Sequence, residues 1–195
     1  MARLDGLMTA KVIAQLGATI GRQFSYALLQ AVAQRNDRTL HEELHRLVEA
    51  EIVYQRGLPP QSTYVFKHAL IQDAAYESLL KSTRQQYHQR IAQVLEGQFP
   101  ETVEAQPELP AHHYTEAGLN AQAVHYWHHA GQRASERSAH IEAIAHLRQG
   151  LELFKALPET PQRLQHEVDM LIALGASLLA TKGTGAPELG AVGVI

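Results

Sequence analysis

Residues 64–95 read YVFKHALIQDAAYESLLKSTRQQYHQRIAQVL, and this stretch decides how the rest of the chain is organised. It opens on a β-branched and aromatic run, Tyr64-Val65-Phe66, which suits a strand. It then turns to helical spacing, with Leu70, Ile71, Ala74, Ala75 and Leu79 on one side of a helix over residues 69–80. Lys81-Ser82 interrupts that helix. Ser82 followed by Gln85 is a capping-box pair, and Tyr87, Ile91, Val94, Leu95 and Phe99 give the next apolar stripe. A strand therefore runs directly into two successive helices.

Upstream, Ile52-Val53-Tyr54 is a second strand-like run, joined to residues 63–66 by the turn sequence GLPPQS, and the two predict a β-hairpin. Before it lie three helical patterns. The first covers residues 4–16, with Leu4, Leu7, Met8, Val12 and Leu16 near one face, and a Gly17…Gly21 break follows. In the second, Ser25 is the N-cap and Phe24 pairs with Leu29 as a hydrophobic staple, and the helix runs to about Ala33. The third opens at Thr39 with Glu42 as its capping-box partner and carries Leu40, Leu44, Leu47 and Val48. Three helices followed by a hairpin is the winged-helix order.

Downstream, residues 100–110 are polar with three prolines and read as a linker. Beyond it every pattern is helical. Trp127-x2-Ala130-Gly131-x2-Ala134 is followed by Ala143-x3-Leu147-x2-Gly150, the spacing of a tetratricopeptide repeat, with Pro158 late against it. Ala or Gly at those positions lets two helices approach closely. A partial match upstream, Ala111 and Tyr114 and then Ala123-x3-Trp127-x2-Ala130, shares one helix with the first. Thr160 (N-cap) and Pro161 (first helical position) start a further helix through Leu179.

The expected fold is thus mainly α. It comprises the end of a preceding helix or first module helix (1–17), a winged-helix-like segment (18–68), a connecting helical pair (69–99), the linker (100–110) and tetratricopeptide-like helices (111–182). Residues 183–195, GTGAPELGAVGVI, form a tail without a helical stripe.

Composition excludes several classes. The chain has 195 residues, no cysteine and a formal net charge of -3, so disulfides, thiolate metal sites and cysteine nucleophiles are ruled out. Up to Gln98 there are 11 Lys/Arg against 9 Asp/Glu, and beyond it 6 against 11, so neither half is a basic phosphate-binding surface. The N-terminus lacks the unbroken apolar core of a signal peptide, and the most apolar run, residues 170–180, is too short to cross a bilayer. These features predict a soluble, cytoplasmic protein.

One catalytic-looking motif stands out: His41-Glu42-Glu43-Leu44-His45 is literally H-E-x-x-H, which on a helix can set two imidazoles around Zn²⁺ with a glutamate to activate water. Glu42 is already required by the Thr39 capping box, and no third ligand follows, so this zinc-hydrolase reading is rejected. His112/His113 and His125, His128 and His129 could chelate a metal, but no carboxylate cluster accompanies them, and solvated helix faces are the plainer reading. No G-x-x-x-x-G-K-[ST] phosphate loop occurs. Glu42, Glu43, Glu49 and Glu51 outnumber Arg46 around the helix before the hairpin, which disfavours DNA, although Arg56 and Lys67 lie near the wing. Tyr114, Tyr126 and Trp127 are the candidate interaction surface, with core filling as the simpler role.

Several of these stretches together resemble a segment of large bacterial signal-transduction ATPases, often fused to adenylate/guanylate cyclase domains. ARLDGL resembles the last helix of an ATPase lid; AQLGATIGRQFSYALLQAV and LVEAEIVYQRG resemble the winged helix that follows. VFKHALIQDAAYESLL is the most specific piece, and ELPAHHYTEAGLNAQAVHYWHHAGQRASERS with EAIAHLRQGLELFKALPETPQR resembles the first repeat helices. The resemblance implies a non-enzymatic regulatory or scaffold fragment, with ATP bound and any cyclase chemistry performed in domains not present here, and no cofactor in this chain. Its partners would be other domains of the parent chain or another protein. A tail that does not continue the repeat implies a truncated chain whose uncapped repeat face could self-associate. The alternative reading is a DNA-binding winged-helix regulator.

Overall fold

The computed structural model describes residues 8–182, with the side chains of Met8, Thr9 and Lys182 left aside. The expected tail over 183–195 and the first residues of the expected N-terminal helix lie outside that range. Among the described residues the chain is mainly helical, with one small three-stranded sheet, and it divides into two compact units between Gln98 and Phe99.

The first unit runs α1 (Met8–Ile20), β1 (Gln23–Ser25), α2 (Tyr26–Ala33), α3 (Asp37–Glu49), β2 (Val53–Arg56), β3 (Thr63–Phe66), α4 (Ala69–Glu77) and α5 (Lys81–Gln98). The expected hairpin is present: β2 and β3 pair antiparallel from Val53 opposite Phe66 to Arg56 opposite Thr63. The strand β1 was not anticipated. It pairs with the other edge of β3, Phe24 opposite Tyr64, so β3 is central. Phe24 is therefore a strand residue, stacked on Tyr64 at 5.7 Å and tilted against Phe66 at 5.9 Å.

Helix α1 does not break at Gly17 but continues to Ile20. The glycine is required by packing, because a Cβ there would lie 2.7 Å from Cε1 of Phe24. Ala10, Ile13, Ala14 and Leu16 of α1 are buried, and the helix packs on α3, α4 and α5. Gln15 donates to Ser78 Oγ at 2.8 Å, and Gln72 donates to the Ala18 carbonyl at 3.3 Å, which tie α1 to α4.

Ser25 caps α2 as expected, its side chain accepting from Leu28 N at 3.1 Å. Two other expected caps are corrected. Helix α3 starts two residues earlier than Thr39, with Asn36 as N-cap accepting from Thr39 N at 2.8 Å, which frees Glu42 to pair with Arg38 at 3.1 Å. Helix α5 begins at Lys81, so Ser82 lies inside its first turn and makes no capping box with Gln85. In α4, Ala75 is buried but Leu70 is 80% exposed, so the apolar face is narrower than its spacing suggests.

The second unit contains α6 (Pro100–Ala105), α7 (Glu108–Ala117), α8 (Asn120–Glu136), α9 (His140–Leu153), a short 3-10 turn (Phe154–Ala156) and α10 (Pro161–Lys182). The expected linker over 100–110 is thus largely helical. Its prolines fall where a helix tolerates them: Pro100 is in the first turn of α6, and Pro107 and Pro110 sit at the N-cap and first turn of α7. Thr160 caps α10, accepting from Arg163 N at 3.1 Å, as the sequence predicts.

Side-chain contacts fix the directions of these helices. Thr115 meets Trp127 and Tyr114 meets Tyr126, so α7 packs against α8. Gly131 lies against Leu147, and Trp127 lies against Gly150, so α8 and α9 are antiparallel. His128 meets His166 and Ser135 meets Ser177, so α8 and α10 run parallel. Val124, Leu147, Phe154, Met170, Leu174 and Leu178 form the core between them. Among the described residues, no helix is long and apolar enough to cross a membrane.

Candidate functional site

Helix α3 holds the H-E-x-x-H residues on a solvent-facing side, opposite the buried Leu40, Leu44 and Leu47. Each of the three has a local partner. His41 Nδ1 lies 3.0 Å from Tyr26 Oη and 3.1 Å from the Asp37 carbonyl, and Tyr26 also hydrogen-bonds the Asp37 carboxylate. Burial and the Asp37 carboxylate push the Tyr26 phenol well above its ordinary range, so it remains a donor at neutral pH. Glu42 turns back to Arg38, and His45 faces Glu49 at 3.4 Å. The motif's glutamate thus faces Arg38, and the carboxylates beside the two histidines are Asp37 and Glu49.

The charge on this face differs from the sequence expectation at one residue. Glu43 is not on the surface; it is buried among the leucines, and its Oε2 has no hydrogen-bond partner. Burial raises its carboxyl above the usual carboxylate range, with Arg35 and Arg46 opposing the shift. Spacing places it correctly in hindsight, since residues 40, 43, 44 and 47 are one helical stripe. On the exposed side Arg38 pairs with Glu42 and His45 lies against Glu49. Beside the hairpin, Lys67 bonds Glu51 at 3.2 Å and covers the Tyr54 ring. Arg35 and Arg56 are exposed as well.

In the second unit the three aromatic candidates are brought together, but largely into the helix packing. Tyr114 is buried and stacks on Tyr126 at 5.8 Å, while Tyr126 is half-buried. The Trp127 indole donates to Thr115 Oγ1 at 3.0 Å, and its ring stacks on His146 at 5.4 Å. The remaining polar tip of the indole is thereby used within the fold.

A different cluster emerges beside them, and half of it was not singled out from sequence. His128 Nδ1 of α8 lies 3.2 Å from His166 Nε2 of α10. His125, one turn before His128, and Asp169, one turn after His166, are close enough to act electrostatically on the pair. His128 is pushed below the ordinary imidazole range by burial and then by His166, against the opposing charge of Asp169. His166 is lowered by burial and by His125. The Nε2 of His128 is buried without a hydrogen-bond partner. Asp169 accepts from Gln165 at 2.9 Å. By contrast, His112 and His113 sit side by side on α7, where His113 is buried. Among the described residues, no preformed group of three or more metal-ligating side chains occurs.

Comparison with known proteins places the chain beside an uncharacterized protein of Rhizobium meliloti (strain 1021), to which it is 30% identical over 183 residues. The match covers 93% of this chain but 18% of the relative, so the chain spans under a fifth of that protein's length. No family model matches, and no solved structure matches.

Proposed function

We propose that this chain is a non-enzymatic regulatory module, a winged helix followed by tetratricopeptide-like helices, that makes domain–domain or protein–protein contacts within a cytoplasmic signal-transduction ATPase. The observation that carries this reading is α10. It buries Met170, Leu174 and Leu178 on one side and exposes Leu164, Val168, Ile172 and Leu179 on others, Ile172 being 64% exposed. A helix apolar on more than one side is what an interior member of a helical stack looks like before its neighbour is added.

Other features support the parts of the proposal. The order helix, strand, helix, helix, hairpin, with β3 central, favours a winged helix in the first unit. Close approach at Gly131 and Gly150 favours a tetratricopeptide-like pair in the second. The relative is more than five times as long as the matched segment, which suits a multidomain setting. ATP binding, and any nucleotide-cyclase output, would belong to other domains of such a parent. The paired charges along α3 favour a protein partner over DNA.

Two measurements test this. Anisotropy of a labelled DNA duplex at low salt is expected to show no binding; tight binding that collapses with added salt would overturn the proposal in favour of a DNA-binding regulator. Because the chain has no cysteine, Ile172→Cys supplies a single thiol on the exposed face of α10. Its alkylation is expected to slow as the protein is concentrated, since an apolar face without another partner covers itself. A rate independent of concentration counts against a contact surface there.

A further inference from the structure

The pairing of His128 with His166 has a geometry that a hydrogen bond alone does not require. Each of the two parallel helices offers two donors one turn apart: His125 and His128 on α8, His166 and Asp169 on α10. Residues at i and i+3 share a helix face, and the contact between His128 and His166 turns those two faces toward one another. The contact between Ser135 and Ser177, 2.9 Å apart, joins the same two helices again, two turns further along α8 and three along α10. The helix pair is therefore positioned by more than the histidines themselves.

The donor atoms are spaced for a shared ion. Two nitrogens bound to one tetrahedral metal at about 2.0–2.1 Å stand about 3.3 Å apart. His128 Nδ1 and His166 Nε2 are 3.2 Å apart. The other nitrogen of His128, Nε2, is buried without a partner whether Nδ1 meets His166 or an ion, so the spacing of the facing nitrogens carries the argument. With an ion between the rings, both facing nitrogens contribute lone pairs instead of competing for one proton.

We propose that His128 and His166, completed by Asp169, form a binding site for a divalent first-row transition metal of the zinc, nickel or cobalt class. Two imidazoles with one carboxylate suit such borderline ions rather than calcium or magnesium, which favour all-oxygen shells. The third ligand is not in place beforehand. It arrives by rotation of Asp169, which is exposed and held only by the similarly exposed Gln165. His125, also exposed, can supply a fourth donor from the preceding turn of α8. Bound metal would cross-link α8 to α10 and so hold the apolar face of α10 in a fixed orientation.

The test is calorimetric titration of tag-free full chain with zinc and with nickel at neutral pH. We expect one site per chain, lost in His128→Ala and in His166→Ala, and unaffected in His112→Ala and His45→Ala. Asp169→Asn, an exposed substitution that leaves the helix packing alone, is expected to weaken the site about tenfold or more, at least the loss usual for altered metal-site partners. Cobalt should give the visible absorption of a tetrahedral ion, again dependent on His166. Absence of a stoichiometric site overturns the proposal. So does a site that survives both histidine substitutions, or one that disappears with His45→Ala, which would place the metal on α3.

Discussion

The Cβ that Gly131 lacks would lie 2.5 Å from Cγ of Leu147, well inside any real carbon contact. Helices α8 and α9 are therefore as close as they are because residue 131 has no side chain. Gly150 repeats the arrangement on the next helix, where a Cβ would meet Met170 Cε and Trp127 Cβ. These two glycines translate a spacing in the sequence into the separation of three helices.

Gly131→Ala is accordingly expected to destabilise the second unit by about 1–3 kcal/mol, the range for overpacking a well-filled contact. Gly97→Ala is the control, since nothing lies within 4 Å of the added carbon in α5. There the substitution is expected to stabilise by about 0.5–1 kcal/mol through helix propensity. Urea unfolding of the two variants beside the wild type checks the pair; equal effects would remove the packing argument.

The N-terminus of α3 gives a second contrast. Asn36→Ala is expected to cost about 1 kcal/mol, because it removes the acceptor for Thr39 N. Thr39→Ala should cost much less, since its side chain is not the cap. A thermal melt of each variant decides which residue starts the helix.

Glu43 predicts a pH dependence with a definite sign. Burial raises its carboxyl in the folded state, so the neutral form is the one the fold prefers. Its contribution to stability is complete below the unfolded-state value and is lost as pH rises through the folded-state value. Glu43→Gln removes that loss. Relative to wild type, the variant is expected to gain stability between pH 4 and pH 7, measured by denaturant midpoints at both; a difference that does not change with pH would refute it.

On α10, Ile172→Lys is expected to leave folding within about 0.5 kcal/mol of wild type, as for other surface changes. It should also reduce any concentration-dependent association seen by sedimentation velocity. Retained association with the lysine in place would move the contact away from this face.

How much of this was legible beforehand depends on how local each feature is. The caps at Ser25 and Thr160, the hairpin and the small residues at 131 and 150 all follow from spacing within one or two elements. The strand β1 was missed because three residues are too few to show a period of two, and its partner lies some forty residues away. The prolines of residues 100–110 suggested a linker because proline is counted as a breaker, yet it is well tolerated in a first helical turn. Of the candidate site residues, Trp127 and Tyr114 were quoted for the right helices. The partners of His128 were not, because they stand on a helix 38 residues further along.

Read by itself, the sequence determined the helical periodicity, the helix starts at Ser25, Ala69 and Thr160, the hairpin and the need for close helix approach in the second half. Those properties are set by side-chain type at short range: caps satisfy the first backbone N–H groups, and apolar residues repeat with the helix turn. Only the tertiary structure decided that Phe24 is a strand residue and that His166 and Asp169 join His125 and His128. Such pairings depend on which helix faces meet in space, and that is settled by the packing of whole elements.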